Sequence, residues 1–283
     1  MPDQPILCPV CSQAMVEAGQ AQYYTRQAKF STAMYHCAGC DIYFRDIENR
    51  QMVDHYYATS YVQLANEDAF REQRQAFFDR IIHLAGKHLP QTGCLSTQIW
   101  VDFGSAYGHL LEKVQEMGYQ AIGIELNRDL VDHCTQRRLA VVSDFQELPA
   151  GQISVVTLID SLYYVPDPAN VLAEIKHRLD PGGIIVARVT NRNLYARLSR
   201  RLAGKQDLNL LGDATVSYSY KGLVKLFEKQ GFKIVQMLPD TGAGKVQSRS
   251  TAIVYRLSGI LTALLGNKIV FSPGMIVVAR IAA

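Results

Sequence analysis

A short run of small residues, placed directly after an apolar segment and an aspartate, constrains the fold of this chain more than any other feature. Residues 99–101 are apolar, Asp102 follows them, and the next turn contains Gly104, Ser105, Ala106 and Gly108. An apolar run of this kind suits a strand buried in a parallel sheet. Small residues after such a strand let the backbone turn tightly and approach a bound molecule without a clash at Cβ. The pattern predicts a strand whose following loop contacts a ligand.

The segment after this loop has the spacing of a helix followed by a second strand. Apolar residues recur at helical spacing and end at a glycine: Leu110, Leu111, Val114, Met117 and then Gly118. Residues 121–124 form the next apolar run, and Glu125 follows it. Open α/β sheets bind ligands at the carboxyl ends of their strands, where an acid can accept hydrogen bonds from both hydroxyls of a ribose. The two segments together predict a site for a nucleoside-type ligand.

Two classes of nucleoside ligand fit this geometry. A dinucleotide site requires G-x-G-x-x-G with a diphosphate at the helix N-terminus. Here the loop is G-x-A-x-G, one residue shorter, and Asp102 stands immediately before it. A carboxylate at that point repels a diphosphate and attracts the ammonium group of an amino acid. The sequence favours an amino-acid nucleoside, and the short loop speaks against the alternative of a nicotinamide oxidoreductase.

These residues resemble the class I S-adenosylmethionine-dependent methyltransferases. The first motif of that family, acid-x-Gly-x-Gly-x-Gly, is matched by Asp102, Gly104, Ala106 and Gly108, with alanine in place of the middle glycine. Further matches follow in order over about half of the chain: Glu125, residues 143–145, residues 155–168, residues 179–183 and an apolar strand at 184–189. The resemblance implies an α/β fold, a Rossmann-like seven-stranded sheet with helices on both faces, and S-adenosylmethionine as the cofactor.

The resemblance also implies a set of cofactor-binding residues. Asp102 is expected to hold the methionine ammonium, Glu125 the ribose, Asp144 the adenine amine and Phe145 the adenine ring. The complete expected set adds Gly104, Ser105, Ala106, Gly108, Leu126, Asp160, Ser161, Leu162, Tyr57 and Tyr61. The two tyrosines are four residues apart in a tyrosine-rich connector, which covers the cofactor in similar zinc-ribbon methyltransferases; a simple packing stripe is the alternative.

No catalytic base is assigned. Tyr164 stands where many family members have a histidine, so a histidine's role cannot be transferred here. Tyr163 and Tyr164 are expected either to form the wall beside the sulfonium methyl or to close the core at the strand end. His109 follows Gly108, and a lone histidine on the first turn of a helix is more often solvated or capping than catalytic.

Two C-x-x-C pairs near the start of the chain predict a metal site. The four cysteines are Cys8, Cys11, Cys37 and Cys40. Four thiolates from two such pairs provide the tetrahedral donor set that zinc has in structural sites. A complete set of four leaves no open coordination position, so we expect structural zinc. Disulfides are the alternative, but the absence of a signal peptide and the isolation of Cys94 and Cys134 favour a reducing, cytoplasmic setting.

The chain of 283 residues divides into a small metal-held module and one larger domain. We expect a zinc ribbon at 1–50, the connector and an amphipathic helix at 51–92, and the methyltransferase domain at 93–283. Insertions are expected at about 191–220 and 239–274, and antiparallel final strands at 232–238 and 275–281.

The two insertions carry different side chains. The first contains a basic amphipathic segment at 191–205, expected either to bind an anionic substrate or to be a solvated surface. The second contains an apolar segment at 253–265 that is too short to span a bilayer. It is expected to pack against the domain, with a lid, a dimer face or a membrane-surface contact as alternatives.

The charge balance limits the class of substrate. The formal net charge is only +3, well below the basic excess expected of a protein that binds a phosphate backbone. Nucleic acid is therefore not indicated. We expect a methyltransferase acting on an oxygen, nitrogen or carbon of a small or carrier-bound metabolite. The alternatives are an RNA or protein methyltransferase whose ribbon holds the substrate, and a non-catalytic cofactor-binding interaction protein.

Overall fold

The computed structural model describes residues 5–24, 29–47, 66–90, 94–204, 206–240, 257–258, 260–261, 270 and 272–282. Tyr57 and Tyr61 lie outside the described residues, as do most of the connector and most of the apolar segment at 253–265.

The described strands, in chain order, are β1 (Val16–Tyr24), β2 (Lys29–Cys37), β3 (Ile42–Arg45), β4 (Ile99–Phe103), β5 (Gln120–Ile124), β6 (Ala140–Val142), β7 (Ile153–Ile159), β8 (Leu179–Thr190), β9 (Val216–Ser217), β10 (Phe232–Pro239) and β11 (Gly274–Ile281). The described α-helices are α1 (Glu67–His88), α2 (His109–Glu116), α3 (Arg128–Gln136), α4 (Pro168–Arg178), α5 (Arg192–Ala203) and α6 (Tyr220–Lys229).

The larger sheet has seven strands in the order β10-β11-β8-β7-β4-β5-β6. The strands from β4 to β8 pair in parallel, and β11 is antiparallel to both of its neighbours, β8 and β10. This arrangement confirms the predicted fold class, including the antiparallel pairing of the last two strands. The carboxyl ends of the five parallel strands meet at one edge, which is where the sequence predicts a ligand.

Helices cover both faces of this sheet because its strands direct apolar side chains alternately to each side. Trp100 and Val155 pack in a core with residues of α1 and α2. Their neighbours Val101 and Val156 pack in the core on the opposite face, together with residues of α4 and α6. Trp100 is fully buried, and its Nε1 donates a hydrogen bond to Thr157 Oγ1 at 3.2 Å.

The smaller sheet is antiparallel in the order β1-β2-β3-β9. Its fourth strand belongs to the insertion at 191–220, because Ser217 pairs with Tyr43 and Val216 pairs with Phe44. Arg45 at the end of β3 is fully buried and donates to Thr32 Oγ1 and to the backbone carbonyl of Gly212. The ribbon and the insertion therefore form one packed unit. A two-residue strand that pairs with residues more than a hundred positions earlier in the chain has no local sequence signal.

Candidate functional site

The loop after β4 has the backbone conformation that its small residues predict. Gly104, Ala106 and Gly108 have φ of 78°, 48° and 76°, all in the left-handed region. The amides of Gly104 and Ser105 donate to the carbonyl of Ile124 at 2.8 and 3.2 Å. Ala106 stands where the family motif usually has glycine, and a left-handed conformation costs an L-residue roughly 1–2 kcal/mol. The loop therefore keeps its shape without the middle glycine.

Glu125 joins this loop to the end of β5. Its carboxylate accepts hydrogen bonds from the amides of Ala106 at 2.9 Å, Leu126 at 2.8 Å and Asn127 at 2.9 Å. Burial raises the pKa of Glu125, although the three amide hydrogen bonds oppose the shift. Glu125 is half-buried, and Leu126 beside it is 67% exposed. The acid and an open apolar surface thus lie side by side at the carboxyl edge of the sheet.

Asp102 is buried at the end of β4 with an exposed fraction of 5%. Burial raises its pKa to about 7; the hydrogen bond from Thr157 Oγ1, at 2.7 Å, opposes the shift, and the nearby charge of Glu125 adds to it. Among the described side chains, no cation lies within ion-pair distance of this carboxylate. An ionised carboxylate in such a place is stabilised by a cation that arrives with a ligand.

Two buried serine hydroxyls in and beside the glycine loop also lack a hydrogen-bond partner among the described residues. The Oγ atoms of Ser105 and Ser161 are buried and form no hydrogen bond with the described residues. Ser161 lies against the glycine loop, because a Cβ atom added to Gly104 would be 2.9 Å from the Ser161 Cβ. Buried hydroxyls normally have partners, so these two are available to a ligand.

The residues after β6 lie beside the same edge. Asp144 is exposed and accepts a hydrogen bond from the Gln146 amide at 2.8 Å. The Phe145 ring is buried and stacks on Phe103, with the ring centroids 5.4 Å apart and the planes 12° apart. Sequence reasoning did not single out Phe103, although it follows Asp102 directly at the strand end. Leu162, the last expected contact in this region, is fully buried in the core.

Asp160 lies at the centre of an ionic network that the sequence analysis missed. It has φ of 60°, a strained conformation that is common at functional sites. Its carboxylate contacts Arg188 of β8 and Arg74 of α1, the latter at 2.7 Å, and Arg188 also contacts Asp240 at 2.8 Å. Burial opposes the ionisation of Asp160, but the two guanidinium groups outweigh it and lower the pKa. Arg188 within an otherwise apolar strand was the sequence signal of this network, since buried charges require partners.

Three further candidates take defined positions. Tyr164 donates from its hydroxyl to Asp213 at 3.0 Å, while Tyr163 is buried and lies against it. His109 is buried rather than solvated, since the Tyr107 ring stacks on it. Its ring nitrogens lie 3.6 Å from carboxylates of Glu67 and Glu112. Burial lowers the pKa of His109, as do the nearby charges of Arg71 and Arg137.

The four cysteines of the N-terminal pairs come together as a candidate metal centre. Their sulfur atoms all lie within 4.8 Å of one another, and the Sγ atoms of Cys11 and Cys37 are 3.6 Å apart. Thiolates bound to one tetrahedral zinc at about 2.3 Å lie about 3.8 Å apart, so the set fits zinc. Ser12 and Asp41, which follow the two pairs, both have positive φ, and their amides donate to the carbonyls of Cys8 and Cys37. The grouping of all four sulfurs favours a metal over separate disulfides.

A cavity of about 640 Å³ opens beside Asp160, at the carboxyl ends of β7 and β8. Its described lining comes from α1, from the ends of these two strands and the residues after them, from α5, and from Leu210 and Pro273. It is therefore placed between the large sheet and the insertion that carries β9.

Comparisons with known proteins agree with this architecture. Residues 70–237 match the family model described as a methyltransferase domain, which is more than half of the chain. The chain belongs to this methyltransferase family. The resemblance to class I S-adenosylmethionine-dependent methyltransferases is thereby confirmed, together with the sheet order that accompanies it. None of the described helices has the length and apolar character needed to cross a membrane.

Individual relatives are more distant. A ubiquinone biosynthesis O-methyltransferase of Methylococcus capsulatus is 30% identical over 42% of this chain and 54% of its own length. One of Coxiella burnetii is 25% identical over 52% of this chain and 62% of its own length. The solved geranyl diphosphate C-methyltransferase of Streptomyces coelicolor has a TM-score of 0.50 and 14% identity, covering 74% of this chain and 80% of that one. The chain thus spans little more than half of the curated relatives, and the solved structure is similar in fold.

Proposed function

We propose that this protein transfers the methyl group of S-adenosylmethionine to an oxygen, nitrogen or carbon of a small or carrier-bound acceptor. The observation that carries the proposal is Asp102, a buried carboxylate without a described cationic partner, placed beside a left-handed glycine loop and Glu125. An amino-acid nucleoside supplies the missing cation through its ammonium group. The names of the curated relatives support a small-molecule acceptor.

The proposed roles follow the positions of the side chains. Asp102 holds the ammonium, and Ser105 and Ser161 are the buried hydroxyls available to polar groups of the same ligand. Glu125 accepts from the ribose hydroxyls after exchanging some of its amide hydrogen bonds. The remaining expected cofactor contacts are Gly104, Ala106, Gly108, Leu126, Asp144, Phe145, Asp160 and Leu162.

Methyl transfer from S-adenosylmethionine requires little acid or base catalysis by the protein. S-adenosylmethionine supplies an activated methyl group on a cationic sulfonium. The protein's task is then to hold the methyl donor and the acceptor in line and to exclude water. Such a reaction does not require a strong catalytic base. The ion pair with Arg188 holds Asp160, which precedes Ser161, in its strained conformation at the edge of the cavity.

Calorimetric titration with S-adenosylmethionine and S-adenosylhomocysteine tests the cofactor site, with NAD as the negative ligand. Both sulfur nucleosides should bind, and Asp102→Asn and Glu125→Gln should each weaken binding at least about tenfold, the loss of one charged hydrogen-bond partner. Asp132→Asn, an exposed aspartate of α3, is the matched control and should leave the affinity unchanged. Failure of both nucleosides to bind folded protein would reject the proposal. Transfer of labelled methyl groups to a metabolite extract then tests turnover.

A further inference from the structure

The cavity beside Asp160 is placed to receive the methyl acceptor, an inference that rests on the proposed function. Asp160 and Tyr163 line it, and they flank Ser161 and Leu162, which we assign to the methyl-donor end of the cofactor site. Its volume of about 640 Å³ is typical of sites for small organic ligands. The charge and polarity of the side chains that line it therefore indicate the chemical class of the acceptor.

Three arginines belong to the described lining of the cavity, and carboxylates neutralise two of them. Arg74 contacts Asp160 at 2.7 Å. Arg188 contacts Asp160 and also Asp240, the latter at 2.8 Å. These two guanidinium groups contact the strained residue at the end of β7. Because carboxylates of the protein already neutralise them, they are not the groups that would bind an anionic ligand.

Arg192, at the start of α5, differs from both. It is half-buried, and Nη1 donates to the carbonyl of Leu211 at 3.3 Å. Among the residues that the structure describes, no carboxylate lies within ion-pair distance of its guanidinium. Gly212 gives it room, because a Cβ atom at that position would lie 1.3 Å from Arg192 Nη1. The described wall of the cavity thus contains a positioned guanidinium whose charge no described carboxylate compensates.

Leucine, tyrosine and proline side chains share the rest of the described lining with the polar Thr190 and Ser199. Leu198 and Leu210 line the cavity and are 46% and 41% exposed, which is high for leucines of a packed domain. Tyr195, on the same helix as Arg192 and Leu198, also lines the cavity. An acceptor with an apolar or aromatic body would cover these side chains while its polar end reaches the arginine.

We propose that this cavity binds a methyl acceptor that carries an acidic group, a carboxylate or a phosphate, and that Arg192 holds that group. A planar guanidinium binds either anion through two parallel hydrogen bonds. Leu198, Leu210 and Tyr195 pack against the body of the acceptor. Binding the acid at Arg192 leaves the other end of the molecule directed toward Asp160 and Ser161.

Titration of the full chain with small probes tests this assignment. Benzoate and phenyl phosphate are the anionic probes, and benzyl alcohol is the neutral one, each followed by ligand-observed NMR with and without S-adenosylhomocysteine. We expect saturable binding of at least one anion and about tenfold weaker binding of the alcohol. Arg192→Met should weaken anion binding about tenfold, and Arg192→Lys, which keeps the charge, should weaken it less.

The control is Arg201→Met, an exposed arginine of the same helix that does not line the cavity, and it should bind the probes like the original protein. Lack of saturable binding by both anions, or equal binding to Arg192→Met, overturns the inference. Because the probes are also titrated without nucleoside, their binding is independent of the proposed cofactor site. A second measurement separates labelled methyl products on an anion exchanger. Products that the exchanger retains support the inference, and neutral products contradict it. Phosphatase treatment of the retained products distinguishes a phosphate from a carboxylate.

Discussion

The Asn193 side chain donates a hydrogen bond from Nδ2 to the backbone carbonyl of Asp41 at 2.9 Å. Asp41 follows Cys40, the last of the four clustered cysteines, and its carboxylate also contacts Arg197 at 2.7 Å. Asn193 and Arg197 belong to α5, the helix that carries Arg192 to the cavity. The candidate metal centre and the wall of the cavity are therefore joined by direct contacts through α5.

Removal of the metal is expected to increase the mobility of α5 while leaving the glycine loop after β4 intact. The purified protein should contain about one zinc per chain, and stripping it with a chelator should increase amide hydrogen exchange in residues 192–203 and 208–217, since small metal modules lose their fold without the ion. Exchange in residues 99–124 should change little. Cys40→Ser should reproduce the effect, and Cys94→Ser, at an exposed cysteine outside the cluster, should not. Unchanged exchange in 192–203 after full stripping would contradict this coupling.

Gly108→Ala is expected to destabilise the protein more than the same substitution at a glycine whose Cβ position is open space. Gly108 has φ of 76°, and an added Cβ would lie 2.5 Å from Leu139 Cδ1 and 3.0 Å from Cys134 Sγ. Strain and overpacking should together cost about 2–4 kcal/mol of the free energy of unfolding in urea. Gly151 has φ of 69° with nothing within 4 Å, so Gly151→Ala measures the conformational part alone, about 1 kcal/mol. Equal losses of unfolding free energy in the two variants would show that the Leu139 and Cys134 side chains move aside without cost.

The features that the sequence predicted are those encoded locally. The glycine loop, Glu125 and the paired cysteines each depend on residues close together in the chain, and the final strands were predicted to within one residue at each end. The pairing of β9 with β3 joins residues about 170 positions apart through two residue pairs, which no periodicity reveals. The partners of Arg188 were equally hidden, because Asp160 and Asp240 stand in loops far from it in sequence. The arginine itself indicated only that partners were required.

Arg188→Met is expected to cost about 3–5 kcal/mol at neutral pH, because it leaves Asp160 and Asp240 buried without their shared cation. The pKa of Asp160 is lowered in the folded protein, so the pair contributes stability above the carboxyl's unfolded pKa and loses it as the pH falls through the folded value. The difference from the original protein should therefore persist down to about pH 4 and shrink below it, so that it is smaller at pH 3 than at pH 7. Urea denaturation at both pH values measures it, with the exposed Arg200→Met as the control. A difference that is independent of pH would show lost packing instead of lost charge.

Asp102→Asn is expected to stabilise the cofactor-free protein while weakening cofactor binding. Burial raises the folded pKa of Asp102 to about 7, whereas an unfolded aspartate titrates near 4. Folding therefore favours the protonated acid, and the ionised form destabilises the protein increasingly from about pH 4 to about pH 7.

The neutral asparagine escapes that cost and can still accept from Thr157 Oγ1. We expect a gain of about 1–3 kcal/mol at pH 8, a smaller gain at pH 5, and little change in the exposed control Asp132→Asn. A ligand ammonium requires the ionised acid, so S-adenosylhomocysteine affinity in the original protein should fall as the pH drops below 7, and this dependence should disappear in Asp102→Asn. Destabilisation by Asp102→Asn at pH 8 would show that a cation within the protein already compensates the carboxylate, which would remove the main support for an ammonium at this position.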